Sequence, residues 1–100
     1  MSDGFQFTNE TIQASRLAKA FSHPVRLYIL KQLSQEKCCY SSDLSTILPV
    51  AKSTLSQHLK ELKDAGLIHG QTEAPKIKYC LNREVWNLAR SFFQDVFQLS

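Results

Sequence analysis

The chain is poor in residues that interrupt regular structure: only three of its 100 residues are glycine and three are proline. Few breaks of this kind favour a mostly helical chain. There is no internal repeat, and no apolar run approaches the roughly 18 residues needed to cross a bilayer. The first ten residues, MSDGFQFTNE, lack the basic and apolar segments of a signal peptide. We expect one cytoplasmic domain over residues 1–100, without a membrane segment, whose first seven residues form a disordered tail.

Cysteine is also scarce, and the cysteines are odd in number: Cys38, Cys39 and Cys80. Two adjacent cysteines and a distant third are not a disulfide framework, so we expect free thiols in a reducing compartment.

The patterns of catalytic sites are missing too. The sequence has no Gly-rich phosphate loop, no nucleophile elbow and no clustered carboxylates, and nothing in the spacing supports a Cys–His nucleophilic pair. An enzyme is therefore not expected.

Hydrophobic residues make up 43% of the chain and charged residues 21%, with a net charge of +3. These values are typical of an ordinary soluble globular domain, and so mild a charge matters only through its placement. Apolar spacing and end signals predict five helices. They are expected at about residues 9–21, at 24–35, from Ser41 or Ser42 to near Pro49, within 50–66, and at about 83–98.

Two short alternating runs, 67–71 and 76–82, follow the fourth predicted helix and predict a small β-hairpin. The link TEAPK, residues 72–76, is expected to form a loose tip. A mainly α chain in which two helices joined by a tight turn precede a two-stranded wing is typical of a winged helix-turn-helix.

The segment VAKSTLSQHLKELKDAGLI, residues 50–68, places a helical apolar stripe among mediocre helix formers. At about 100° per residue, Leu59 and Leu62 fall near Leu55 and form a stripe that tertiary packing can bury. The opposite side carries small polar and basic residues: Lys52, Ser53, Ser56, Gln57 and Lys60. A recognition helix presents its N-terminal residues to base edges in the major groove. We predict base contacts from the two serines and the glutamine, and phosphate contacts from the two lysines.

For three further basic residues and one histidine, the sequence allows two interpretations of the role of the side chain. Lys76 and Lys78 share one side of the second strand and are predicted to contact phosphates from the wing, although a solvated strand face has the same pattern. His58 lies on the flank of the leucine stripe, either as a base reader or as a half-buried histidine with a local hydrogen bond. Arg26 can reach a phosphate or make a structural hydrogen bond.

The last predicted helix carries an apolar arc of about 180°, wider than a surface helix on a small core needs. Its aromatic residues are too large an area to leave in water. We expect a two-fold homodimer through the first and last helices, although such a helix can also close a monomer core. The predicted interface residues are Ile12, Trp86, Phe92, Phe93 and Phe97.

The segments KAFSHPVRLYILKQL and STLSQHLKELKDAGLI resemble the second-helix and recognition-helix signatures of the ArsR/SmtB family of small bacterial transcriptional repressors. The resemblance covers about Ala18 to Phe97. It implies a dimeric winged-helix repressor that leaves its operator on binding an ion or through thiol chemistry. By position it implies that five residues face DNA: Ser53, Thr54, Ser56, Gln57 and His58.

The sensing element departs from the family patterns. One family metal site has two cysteines, one residue apart, just before the Asp-Leu of the short helix, where CCYSSDL has Tyr40 and Ser42. The last helix has neither His nor Cys, which removes a second family metal site and the second cysteine of the family's thiol switch. Cys38 and Cys39 remain candidate ligands of a soft metal or metalloid ion. Cys80 is either a third thiolate or a buried small apolar residue, and no cofactor is certain.

Together these patterns predict a sequence-specific regulator of transcription that binds double-stranded DNA. It is expected to be a repressor that recognises a palindromic operator as a homodimer, with half-sites one helical turn apart. The alternative function is a winged-helix protein-interaction module that does not bind DNA.

Overall fold

The computed structural model describes residues 4–36 and 38–98. Residues 1–3 of the predicted tail lie outside this part, and residues 5–8 carry no helix or strand. The predicted order of helices and hairpin is confirmed, with one added strand. The elements are α1 (Asn9–Ala20), α2 (Pro24–Glu36), β1 (Cys38–Tyr40), α3 (Ser41–Ile47), α4 (Lys52–Asp64), β2 (Ile68–Glu73), β3 (Lys76–Leu81) and α5 (Arg83–Phe97).

Local signals explain most helix ends. The Thr8 hydroxyl accepts a hydrogen bond from the backbone N–H of Thr11 at 3.1 Å and so begins α1. Helix α4 is followed by Gly66, whose φ of 82° favours glycine and stops the helix, while Leu67 N–H donates back to the Leu62 carbonyl at 3.1 Å. The expected serine cap of α3 is wrong, because Tyr40 occupies that position without a side-chain hydrogen bond.

The sheet has three antiparallel strands in the order β1-β3-β2, not the two predicted. The added strand β1 has three residues, too short for an alternating pattern to predict. The expected loose tip is also wrong. Strands β2 and β3 stay paired as far as Glu73 and Lys76, which leaves only Ala74 and Pro75 in the turn.

The prediction of free thiols is wrong for two of the three cysteines. Strand β1 brings Cys38 opposite Cys80 of β3, and the two form a disulfide across 42 residues of sequence. Cys80 is therefore neither a plain buried apolar residue nor a free thiolate. Cys39 is free. Sequence reasoning missed this pair because it missed the strand that aligns the two residues.

The core lies between the helices and one face of the sheet. Helix α2 contributes Ile29, Leu30 and Leu33, as expected of a central helix, although Leu27 on its other side is 52% exposed. Leucines from α1, α3, α4 and the strand ends complete the core. Among the described residues, the largest fully buried side chains are Leu17, Ile29, Leu30, Leu33, Leu44, Leu62 and Leu67.

Truncation of Leu62 tests this core. Leu62 is 0% exposed, so Leu62→Ala should lower the free energy of unfolding by about 2–5 kcal/mol, through lost apolar burial and the cavity left behind. Leu27→Ala is the matched control and should stay within about 0.5 kcal/mol of wild type. Urea unfolding followed by circular dichroism measures both, and equal losses would contradict this assignment of the core.

Candidate nucleic-acid interface

Helix α4 divides its side chains between the core and the surface as its sequence predicts. Leu55, Leu59 and Leu62 are at most 3% exposed. All the predicted contact residues of the helix except His58 are exposed: Lys52, Ser53, Thr54, Ser56, Gln57 and Lys60. The buried stripe therefore fixes the rotation of α4 and turns its polar N-terminal two-thirds to the surface.

A groove separates the N-terminal half of α4 from the wing, the hairpin formed by β2 and β3. Its base includes Leu55 and Leu59, and its cationic side chains are Lys52 on the helix and Lys76 on the wing. The remaining lining residues are polar ones of α3 and α4 and residues of the wing: Ser41, Ser42, Ser45, Ser56, Pro75, Ile77 and Tyr79. Hydroxyls and two lysines converge there, a chemistry suited to phosphate oxygens.

The two lysines predicted on α4 differ in their ion pairing. Lys60 Nζ lies 2.8 Å from Asp64 Oδ2, one helical turn along, and both side chains are exposed. The hydrogen bond to Asp64 and its charge raise the pKa of Lys60. No carboxylate of residues 4–36 or 38–98 forms an ion pair with Lys52. Lys52 can therefore contact a ligand without breaking an ion pair, whereas Lys60 must exchange Asp64 for the ligand.

The wing carries a small cluster centred on Glu73. The Tyr40 hydroxyl donates to Glu73 Oε2 at 2.8 Å, and Lys78 Nζ lies 3.1 Å from Glu73 Oε1. The hydrogen bond from Tyr40, followed by that from Lys78, lowers the pKa of Glu73. The bond to Glu73 raises the pKa of Tyr40, and it also raises the pKa of Lys78. The cluster ties the tip end of the wing to the end of β1, which leads into α3.

This cluster distinguishes the two predicted wing lysines. Lys78 is partly buried, with its side chain 28% exposed, and is paired with Glu73. Lys76 lines the groove and lies 5.2 Å above the Tyr40 ring. Lys76 is therefore the better placed of the two for a phosphate. Sequence reasoning did not find Tyr40 or Glu73, since one belongs to the missed strand and the other to the segment expected to be a loose tip.

Arg26 and His58 join three helices beside the interface. Arg26 Nε donates to the Ala20 carbonyl at the end of α1 at 2.7 Å, and its Nη1 lies 3.0 Å from His58 Nδ1 on α4. His23 packs on His58 with ring centroids 4.2 Å apart, and its own Nδ1 accepts from Val25 N–H. Arg26 thus makes structural hydrogen bonds, which was one of the two roles predicted for it.

The Arg26 contact determines the protonation state of His58. A guanidinium only donates, so His58 Nδ1 accepts and the ring is neutral with its proton on Nε2. Burial lowers the pKa of His58, and the electrostatic influence of the neighbouring His23 and Arg26 lowers it further. With Nδ1 occupied by Arg26, only Nε2–H of this half-buried ring is available to DNA.

The predicted dimer residues divide into two groups. Trp86 and Phe93 of α5 pack on Phe21 at ring-centroid distances of 6.2 and 6.0 Å and are partly buried against the core. Phe97 is 75% exposed, and Ile12 of α1 is 39% exposed. Phe92 is half-buried and lies edge-on to Phe93. Helices α1 and α5 therefore contact each other, and each leaves apolar side chains exposed in a single chain.

The two candidate metal ligands are not brought together. Cys38 is in the disulfide with Cys80. Cys39 pairs in register with Tyr79, on the opposite face of the sheet, and its thiol lies 3.5 Å from Glu36 Oε2. Burial and the neighbouring Glu36 raise the pKa of the Cys39 thiol, which disfavours the thiolate that a soft metal needs. The described part of the chain contains no group of three or more His, Cys, Asp or Glu side chains placed to hold a metal ion.

Comparisons with known proteins bear on this geometry. The family profile described as "Bacterial regulatory protein, arsR family" matches residues 23–69, from the start of α2 into β2. The HTH-type transcriptional regulator YgaV of Escherichia coli (strain K12) is 38% identical over 85% of this chain and 86% of its own length. The chain belongs to the ArsR family.

Other similar proteins also carry the names of ArsR-type transcriptional regulators. The arsenical resistance operon repressor of Bacillus subtilis (strain 168) is 41% identical over 69% of this chain and 66% of its own length. Among solved structures, HlyU from Vibrio cholerae N16961 is 30% identical, has a TM-score of 0.74 and aligns over 92% of this chain and 100% of its own. As an ArsR-family protein the chain is a DNA-binding transcriptional regulator and not an enzyme. Within the described ranges, no helix is long and apolar enough to cross a membrane.

The Arg26–His58 contact predicts a pH dependence. Folding lowers the pKa of His58 below its ordinary value. The contribution of His58 to the free energy of unfolding is therefore complete above the unfolded pKa of about 6.5, and it is lost as the pH falls through the pKa of the folded state. Unfolding free energy, measured with urea from about pH 7.5 to about pH 5, should fall less in His58→Gln than in wild type. His69→Gln, at an exposed histidine, should keep the wild-type slope. Identical slopes in wild type and His58→Gln would contradict the role given to this contact.

Proposed function

We propose that this ArsR-family chain is a repressor that binds a palindromic double-stranded operator as a homodimer in the cytoplasm, and that a chemical signal releases it. The exposed N-terminal face of α4 is the observation that carries the proposal. This face combines Ser53, Ser56 and Gln57 with free Lys52, and Leu55 and Leu59 anchor it from beneath. A helix that presents such residues at its N-terminal end suits a major groove.

Base readout is assigned to the short polar side chains of α4. Gln57 can pair with the N6 and N7 atoms of adenine, and Ser53 and Ser56 can bond to several base edges. Thr54 and the Nε2–H of His58 extend this surface. No carboxylate lies among these residues, so nothing in this part of the helix repels phosphate.

Phosphate contacts are assigned to the lysines on the two sides of the groove. Lys52 stands at the start of α4 and Lys76 at the wing tip, so the groove between them can hold one stretch of DNA backbone. Lys60 and Lys78 add charge after exchanging Asp64 and Glu73 for phosphate oxygens. The rival protein-interaction module would use the same fold without needing these charges.

Dimerisation is assigned to the shared face of α1 and α5. Three apolar side chains of this face are exposed to water: Ile12, Val96, which is 60% exposed, and Phe97. An exposed apolar area of this size on a small domain marks an interaction surface. A two-fold axis through this face would join two copies by the same patch. Two recognition helices related by such an axis match half-sites one helical turn apart.

The releasing signal is assigned to the cysteines, as thiol chemistry or a soft metal or metalloid ion. A relative named as an arsenical resistance operon repressor makes a thiophilic ligand reasonable. The opposite faces occupied by Cys38 and Cys39 do not favour a site built from those two alone, whereas Cys38 and Cys80 are adjacent.

Charge reversal on α4 tests the DNA assignment. Lys52→Glu with Lys60→Glu should abolish specific binding to the DNA upstream of the chain's own gene at physiological salt, and the salt dependence of any residual binding should fall by about one unit of slope per lost contact. Lys31→Glu with Lys63→Glu changes the net charge equally on two exposed lysines outside the groove and should bind nearly as wild type. Fluorescence anisotropy over a salt series measures both. Unchanged operator affinity in the first variant would favour the protein-interaction module.

A charge on the α1–α5 face tests the dimer. Phe97→Asp should shift the chain from dimer to monomer, because the carboxylate would have to be buried without a partner. Leu27→Asp, at a similarly exposed apolar residue of α2, should leave the mass unchanged. Sedimentation equilibrium gives the mass of each. A wild-type chain that is monomeric at micromolar concentration would refute this assignment.

A further inference from the structure

The disulfide lies on the outer face of the sheet, away from the core. Residues directly opposite each other on paired strands point to the same side, which puts Cys38, Cys80 and His69 in one row across β1, β3 and β2. The core-facing row beside it holds Cys39 and Tyr79. Cys38 is half-buried and Cys80 is 7% exposed, so a small molecule can approach the pair through Cys38.

The position of the pair couples it to the interface. Cys38 begins β1, which runs through Tyr40 directly into α3 at Ser41, on the wall of the groove. Cys80 lies on β3, which carries the wing lysines. Only three residues of β1 pair with β3, so a covalent bond at the first of them adds directly to the links between the wing and the helix-turn-helix.

We propose that Cys38 and Cys80 form a reversible dithiol–disulfide site. Its oxidation by a hydroperoxide locks the wing against the helix-turn-helix in the arrangement that favours DNA binding, and its reduction is the thiol chemistry that releases DNA. The link to DNA rests on the function proposed above. A protein that works on genomic DNA occupies a compartment where thiols are kept reduced, and disulfides formed there are usually transient or redox-sensing ones.

The chemistry balances with the oxidant alone. The Cys38 thiolate attacks one oxygen of hydrogen peroxide, the O–O bond breaks, and a sulfenic acid forms with release of one water after protonation. The Cys80 sulfur then attacks the Cys38 sulfur, an S–S bond replaces the S–O bond, and the oxygen leaves as a second water. The two thiols lose two electrons and two protons in all. A dithiol reductant reverses the change by thiol–disulfide exchange.

The oxidised form should bind DNA more tightly because its wing is already ordered. Ordering a mobile segment on binding costs affinity, and fixing it beforehand removes that cost. In the reduced chain, the Tyr40–Glu73 hydrogen bond and three residue pairs of β1 remain to hold the wing. Oxidation thus stabilises an arrangement already encoded in the sheet.

The test uses the full chain carrying Cys39→Ser, which leaves only the proposed pair. Stoichiometric hydrogen peroxide should convert the two thiols to one intramolecular disulfide, seen as a loss of two mass units, and dithiothreitol should restore them. Hydrogen exchange of residues 68–81 should be about tenfold slower in the oxidised than in the reduced chain. In the double variant Cys39→Ser with Cys80→Ser, this difference should be absent. If the double variant does not fold, the comparison of oxidised with reduced Cys39→Ser chain still tests the proposal.

Operator binding of the same samples completes the test. Oxidation should tighten binding about three- to tenfold, with no redox effect in the Cys80→Ser variant. Failure to form the disulfide, equal exchange in both states, or tighter binding by the reduced chain would overturn the proposal. If neither state binds DNA while the exchange difference is present, the redox-locked wing stands and the proposed function fails.

Discussion

Everything at the interface depends on the burial of one leucine stripe. Leu55, Leu59 and Leu62 occur at helical spacing and are almost completely buried, so α4 has only one rotation compatible with the core. That rotation puts the polar and basic side chains of its N-terminal half on the surface. Their helix propensity is mediocre, but packing of the stripe outweighs it, since burying a leucine is worth about 1.5–3 kcal/mol whereas ordinary propensities differ by less than about 0.7 kcal/mol. Hydrophobic packing thus stabilises the surface that we propose recognises DNA, without itself taking part in recognition.

The wing depends on a different kind of interaction, polar and covalent links to β1. Leu81 and Ile68 bury the base of the hairpin, but most of the residues beyond it are exposed. Its orientation is set instead by the Tyr40–Glu73–Lys78 cluster and by the disulfide, both of which connect it to the strand that leads into α3. Arg26 has a comparable role on the other side of α4, where it joins the end of α1 to His58. Contacts just behind the interface therefore hold both the recognition helix and the wing.

Periodic features could be predicted from the sequence and long-range pairings could not. The five helices, the hairpin and the exposed face of α4 follow from spacing that is local in the chain. Strand β1 could not be predicted, because three residues carry no period and its pairing with β3 spans about forty residues of sequence. The disulfide and the Tyr40–Glu73 bond depend on that strand, so they were missed with it. His58 was ambiguous for the same reason, since its partner Arg26 lies 32 residues away.

The central claim is that the outward face of α4 reads base pairs. Affinities of wild type and Gln57→Ala for an operator and all its single base-pair variants, measured at one fixed salt concentration, test it most directly. The account predicts that Gln57→Ala loses about 1–3 kcal/mol of discrimination at one base pair in each half-site and keeps the rest of the sequence preference. A uniform loss across all the sequences, or no loss at any, would contradict it.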